Sequence, residues 1–158
     1  IGGQGDRDRT LAIMKDPRSG PIAIVALVLV LLIKFAALQA LLAGDAGVLL
    51  LLTPVLGRAI IVLLLITTPY IRPEGLGAPY ASYLPRLSCS LLVLLIAAAT
   101  VALLEWQGGV LLVALGIGWI GLRHELMGRL GGVTGDTLGA ACELAETVAL
   151  LTPVLLAE

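Results

Sequence analysis

Five apolar runs fix what this chain can become: Pro21–Leu42, Gly47–Thr68, Leu87–Leu104, Gly108–Leu122 and Leu138–Leu156, each bounded by charges, Pro or Gly. Crossing the hydrocarbon core of a bilayer takes about 20 apolar residues, with a range of about 17 to 25. Four runs meet that length. The fourth is short, so it either crosses upright, borrows residues from its flanks or packs half-buried among its neighbours. Hydrophobic residues make up 59% of the chain and charged ones 13%, with a mean hydropathy of +1.06. Soluble domains are only about 45 to 50% apolar and about 25% charged. In lipid every backbone polar group must be satisfied within the spanning structure, and apolar runs without alternation exclude a β-barrel. The expected fold is therefore all-α, a polytopic transmembrane bundle of about five helices. It forms one membrane domain over residues 1–158, with a polar segment at 1–20 and helices and loops at 21–158.

Charge placement gives an orientation. The net charge of −1 points to no nucleic-acid partner. Eight of the ten basic residues fall on one side of the expected topology: Arg7, Arg9, Lys15 and Arg18, then Arg72 and Arg86, then Arg123 and Arg129. The opposite connections, around Asp45, Glu105 and Glu158, carry none. Basic loops resist translocation, so the basic side is expected to be cytoplasmic. It also holds the long loop TTPYIRPEGLGAPYASYLPR, the kind of segment where binding and catalysis concentrate. The chain opens at Ile1 with no signal-peptide pattern, which reads as a fragment of a longer protein.

The two remaining basic residues, Lys34 and Arg58, lie within the first two apolar runs, and Glu143 and Glu146 lie within the fifth. At 1.5 Å per residue the cations sit about 15 to 20 Å deep from the basic side and the glutamates about 8 to 13 Å. A charge at the bilayer centre costs at least about 2.5 to 3.5 kcal/mol, so these four need partners or a polar cavity. Lys34 has a stem long enough to snorkel toward the outer interface, which would partly rescue its charge, and it is left out of the site. Asp136, Glu143 and Glu146 fall within an arc of about 80° on one helix face. Such a set suits Mg²⁺, which takes oxygen ligands and keeps waters and substrate phosphates, with Asp136 and Glu143 as candidate ligands. Asp136 also fits a helix N-cap. Gly131, Gly135 and Gly139 beside them let a neighbouring helix or a ligand approach closely.

Other motifs carry less. GIGWIG at 116–121 lacks a preceding strand and reads as small residues for helix packing rather than a dinucleotide loop. His124-Glu125 lacks the second His of a zinc helix, because Gly128 stands there. Asp6 and Asp8 around Arg7 read as a solvated surface. Cys89 and Cys142 read as small apolar residues.

Three blocks, RDRTLAIMKDPRSG, GRAIIVLLLITTPYIRPEGLG and GGVTGDTLGAACELAE, resemble in order and spacing those of the cobalamin synthase family, the adenosylcobinamide-GDP ribazoletransferases. The resemblance covers almost the whole chain. It implies a multi-pass membrane enzyme of the bacterial or archaeal inner membrane. Such an enzyme joins adenosylcobinamide-GDP to α-ribazole or its 5′-phosphate with Mg²⁺ and releases GMP. It further implies an aspartate-rich motif directly upstream of the block at 2–9, and Pro17 stands where a Ser is more usual. Phosphoryl transfer rests on positioning and charge stabilisation. Arg58, Arg72 and Arg129 are then the candidate substrate-phosphate contacts, and Asp136, Glu143 and Glu146 the candidate catalytic acids. A homo-oligomer is compatible with all of this. From residues alone, a small transporter or ion relay built on Glu143, Glu146, Arg58 and Lys34 is the rival class.

Overall fold

A computed structural model of the chain describes residues 10–11, 13–14, 20–44, 47–75 and 77–156. Arg7, Arg9, Lys15, Arg18, Asp6, Asp8, Pro17, Asp45 and Glu158 lie outside the described residues. From residue 20 on, the described residues form five helices in order: α1 Pro21–Leu42, α2 Gly47–Thr67, the short α3 Ala78–Ser82, α4 Arg86–Leu130 and α5 Gly135–Leu156. Four of them, all but α3, are long and apolar enough to cross a membrane. The expected all-α polytopic bundle is what the chain forms.

α4 is a hairpin rather than a rod. Its 45 residues would make a straight helix of about 68 Å, more than twice the hydrocarbon thickness. At Glu105 the backbone leaves helical geometry, with φ 52° and ψ −130°. A Cβ built on Gly108 would lie 3.0 Å from Val101 Cα, whereas residues seven apart in one helix stand about 10 Å apart along the axis. Val93, Ile96 and Ala97 also share a cavity with Leu112, Leu115 and Gly116. The arms at 86–104 and 106–130 therefore run antiparallel, and the five apolar runs become five arms of spanning length. The short fourth run borrows from its C-terminal flank, since its helix continues to Leu130. Gly131 then ends it with φ 75°, its N–H donating to the Leu126 and Met127 carbonyls.

The core lies between α2, the second arm of α4 and α5, where buried positions recur at helical spacing: Leu56, Ile60 and Leu64; Leu111 and Leu115; Leu138, Ala141, Ala145 and Ala149. In α1 only Ala37 is buried, and most of its Ile, Val, Leu and Phe side chains are exposed, with Val30, Leu38 and Leu41 partly covered. That apolar outer surface is the one a bilayer demands. Because lipid removes the hydrophobic drive between helices, small residues and close approach carry the packing. Between α2 and α5 the close approach is at Gly57, where an added Cβ would meet Cys142 Sγ and Glu146 Cγ at 2.9 Å each. The glycines expected to serve this purpose do not. Nothing lies within 4 Å of a Cβ at Gly131, Gly139, Gly116, Gly118 or Gly121, and Gly135 meets only the Tyr70 hydroxyl at 3.8 Å. Helical phase explains the difference, because Gly57 falls in the buried stripe of Thr53, Leu56 and Ile60.

Buried hydroxyls are satisfied locally. Thr53, Thr100 and Thr147 donate to the carbonyls four residues back, at 2.9, 2.8 and 2.7 Å. At the basic end of the bundle the loop after α2 and the turn before α5 are stitched together. The Ile71 N–H donates to the Val133 carbonyl at 3.0 Å and the Val133 N–H to the Pro69 carbonyl at 2.9 Å.

Candidate active site

α5 starts at this stitched end, and its first turn decides the role of Asp136. The Thr137 N–H donates to Thr134 Oγ1 at 3.3 Å, and the Thr134 N–H donates to Thr137 Oγ1 at 2.8 Å. This is a reciprocal capping box with Thr134 as N-cap and Thr137 in the place usually held by Glu or Gln. Asp136 is thereby released from capping. Its Oδ2 instead accepts from Arg72 Nη1 at 2.9 Å. Arg72 and Asp136 line a cavity of about 300 Å³ with Glu74 and Thr134, closed on its apolar side by Leu11, Met14 and Ile71. Long-range burial is modest, with the two side chains 31% and 57% exposed. The cavity thus presents a cation and two carboxylates where the bundle meets the basic-side solvent.

A second constellation lies deeper on α5. Lys34 Nζ donates to Glu143 Oε2 at 2.6 Å and to Glu146 Oε2 at 2.8 Å. Glu146 Oε1 accepts from Arg58 Nη1, and from the Cys142 thiol at 3.6 Å. Three helices, α1, α2 and α5, are tied by this chain of charges. Lys34 and Glu146 form its enclosed centre at 13% and 16% exposure, and Glu143 and Arg58 its open ends at 55% and 64%.

The one face expected to hold three acids therefore carries two separate sites. Seven residues, about 10 Å of helix, separate Asp136 from Glu143. Lys34 does not snorkel outward but reaches both glutamates. Arg58 pairs with Glu146 rather than Glu143. Arg129 pairs with Glu125 one turn earlier on α4 at 2.7 Å, and it does not line the Arg72–Asp136 cavity. Glu74 and Arg123 were not singled out from sequence. Arg123 donates from Nε and Nη2 to the Thr67 carbonyl at 3.3 and 3.2 Å. Its phase carried the signal: it lies three and seven residues before the buried Leu126 and Leu130, on the inner face of the arm that Arg129 leaves.

The family model described as Cobalamin-5-phosphate synthase matches residues 1–154. An adenosylcobinamide-GDP ribazoletransferase of Pseudomonas syringae pv. syringae (strain B728a) is 53% identical over 156 residues, 99% of this chain and 64% of that protein. Proteins of the same name from Pseudomonas savastanoi pv. phaseolicola (strain 1448A / Race 6) and Ectopseudomonas mendocina (strain ymp) are 51% and 53% identical over 99% and 98% of this chain, and 64% and 63% of their own lengths. The chain thus spans a little under two thirds of these relatives. No solved structure matches it. Since the match runs from residue 1 to 154 and takes in the Arg72–Asp136 cavity and the deeper ion-pair chain alike, this chain belongs to the cobalamin-5-phosphate synthase family.

Proposed function

We propose that this chain forms part of a membrane transferase that joins adenosylcobinamide-GDP to α-ribazole or its 5′-phosphate and releases GMP. The observation that carries the proposal is the Arg72–Asp136–Glu74 cavity, which sets a guanidinium and a carboxylate of the second block beside a carboxylate of the third. The names of the relatives supply the substrates. Arg72 uses one nitrogen on Asp136, and its planar fork has further N–H groups for a phosphate, as a bidentate contact requires. The apolar wall of Leu11, Met14 and Ile71 lowers the polarity on one side of that contact and so strengthens it.

The donors also fit Mg²⁺. That ion is usually held by one or two carboxylates plus waters and substrate phosphates, and Asp136 and Glu74 supply two around one cavity. When bound, it would neutralise charge on the phosphoryl oxygens. Asp136 and Glu74 are the residues that would hold it, because Glu143 is turned to Lys34 two helical turns away. Among the described residues no group of three or more His, Cys, Asp or Glu side chains surrounds one point, so substrate phosphates would complete the set. Arg58 and Arg129 lie outside this cavity, and the reading assigns first contact with phosphate to Arg72.

The test is GMP release from adenosylcobinamide-GDP in membranes holding a full-length protein that carries this chain. Release that requires α-ribazole or its 5′-phosphate is the expected result. Release at the same rate without either would indicate hydrolysis and end the transferase reading. The ion-relay reading draws on the contiguous deep charges, but toward the opposite end the described cavity is lined by apolar residues, with Gln107 the one polar side chain.

The basic end is proposed to face the cytoplasm, because basic loops resist translocation. In a variant without Cys89 and Cys142, a cysteine at Gly44 should react with an impermeant maleimide in intact cells, and one at Tyr83 should not. The reverse pattern would overturn the orientation.

A further inference from the structure

We propose that Arg123 is a positioning residue for the Arg72–Asp136 site, acting through the carbonyl of Thr67; the inference rests on the transferase reading only for its effect on turnover. Thr67 is the last residue of α2, so its carbonyl is one of the four at a helix C-terminus that no intrahelical N–H reaches. Arg123, on the second arm of α4, covers it with two N–H groups, Nε at 3.3 Å and Nη2 at 3.2 Å. A cation at that end also opposes the helix dipole favourably.

The six residues from Thr67 to Arg72 are then fixed at nearly every step. Thr68 is buried, the Pro69 carbonyl accepts from Val133 N–H, and the Ile71 N–H donates to the Val133 carbonyl. Gly132 lies so close against Pro69 and Ile71 that a side chain there would collide with both. On the opposite strand of this stitch the next residue, Thr134, caps α5 and so sets Asp136. Arg72 and Asp136 thus stand one and three residues beyond a shared pair of backbone hydrogen bonds. Among the described residues Arg123 supplies the side-chain hydrogen bond from α4 to this frame, and it does not itself line the cavity. Its contribution is to the register of the loop, which a guanidinium fixes in plane and a single ammonium donor does not.

Hydrogen exchange in lipid nanodiscs reads this without turnover. In Arg123→Gln the amides of Ile71 and Val133 should exchange about tenfold faster, the equivalent of one lost hydrogen bond, while those of Ala145 and Ala149 in α5 keep their rate. In the full-length protein, KM for adenosylcobinamide-GDP should rise about tenfold with kcat changed less than about twofold, because Arg72 is displaced rather than removed. Arg123→Lys should restore part of both. Unchanged exchange at Ile71 and Val133 overturns the proposal. So does faster exchange with KM unmoved, which would make Arg123 a helix-end brace and nothing more. If Arg123→Gln loosens α5 as well, the variant has lost its fold, and Arg123→Lys is read by the same two criteria. A wild-type protein without transfer activity would sink the transferase reading, and the exchange result would still decide whether Arg123 holds the loop.

Discussion

Arg72→Gln in the full-length protein is expected to lower transfer about 10²- to 10³-fold, the range found when one preorganised donor to a developing oxyanion is removed. Folding should survive it. The Arg72–Asp136 pair is partly exposed on both sides, and exposed ion pairs contribute only about 0 to 1 kcal/mol. The same reasoning separates Asp136 from its neighbour. Asp136→Asn should also remove most activity with membrane insertion intact, since Thr134 and not Asp136 caps the helix. Thr134→Ala should do the opposite, costing about 0.5 to 2 kcal/mol of stability with a smaller effect on turnover. GMP release and a thermal melt, run on all three variants, distinguish the outcomes. If Arg72→Gln keeps more than half of wild-type turnover, phosphate recognition must lie elsewhere, with Arg58 and Arg129 the remaining candidates.

The fold was legible because a bilayer allows so little: runs of spanning length bounded by charge or Gly become helices, and Glu105 between two such runs is where α4 turns back. The phase of small residues was harder. A glycine repeat was visible at 131, 135 and 139, yet it is Gly57 that makes the close contact with α5, and only packing reveals which stripe faces inward. The capping box was half visible, since Thr134 followed three residues later by Thr137 departs from the usual Glu or Gln. The deep charges were legible as a group but not in their pairing. Helix direction supplies what was missing, because side chains tilt toward the N-terminus of their own helix. α1 starts at the basic end, so Lys34 tilts toward that end and toward the glutamates rather than outward. α2 runs the other way, so Arg58 tilts deeper, its Nη1 lying 3.5 Å from the Pro54 carbonyl one turn back. Arg58 begins about 13 Å below Thr67, and Glu146 about 16 Å below Gly135 tilts upward to meet it. Glu143, about 12 Å deep and tilting upward, moves away from Arg58 and is left to Lys34.

That pairing sets the order of severity expected for the deep cluster. Two cations and two carboxylates balance, so the damage from a substitution depends on the charge it leaves enclosed. Glu146→Gln strips the enclosed centre, leaving Lys34 and Arg58 with only Glu143, and should cost about 3 to 5 kcal/mol, the range for breaking a buried pair from one side. Lys34→Met should be comparable, since it leaves two carboxylates against one exposed guanidinium. Arg58→Gln should be milder because it takes a charge out of the spanning region and Glu146 retains Lys34. The double variant Arg58→Gln with Glu146→Gln restores balance, keeping Lys34 with Glu143, and should recover a coupling of about 1 to 3 kcal/mol relative to the sum of the single changes. Equilibrium unfolding of purified protein in mixed micelles measures all four. Additivity within about 0.5 kcal/mol would mean that Arg58 and Glu146 are not coupled and would break the three-helix chain at its α2 end. Turnover then gives the second result. A double variant that folds and transfers normally assigns Arg58 to the architecture, whereas one that folds but does not transfer gives it a place at the substrate, deeper than the Arg72 cavity.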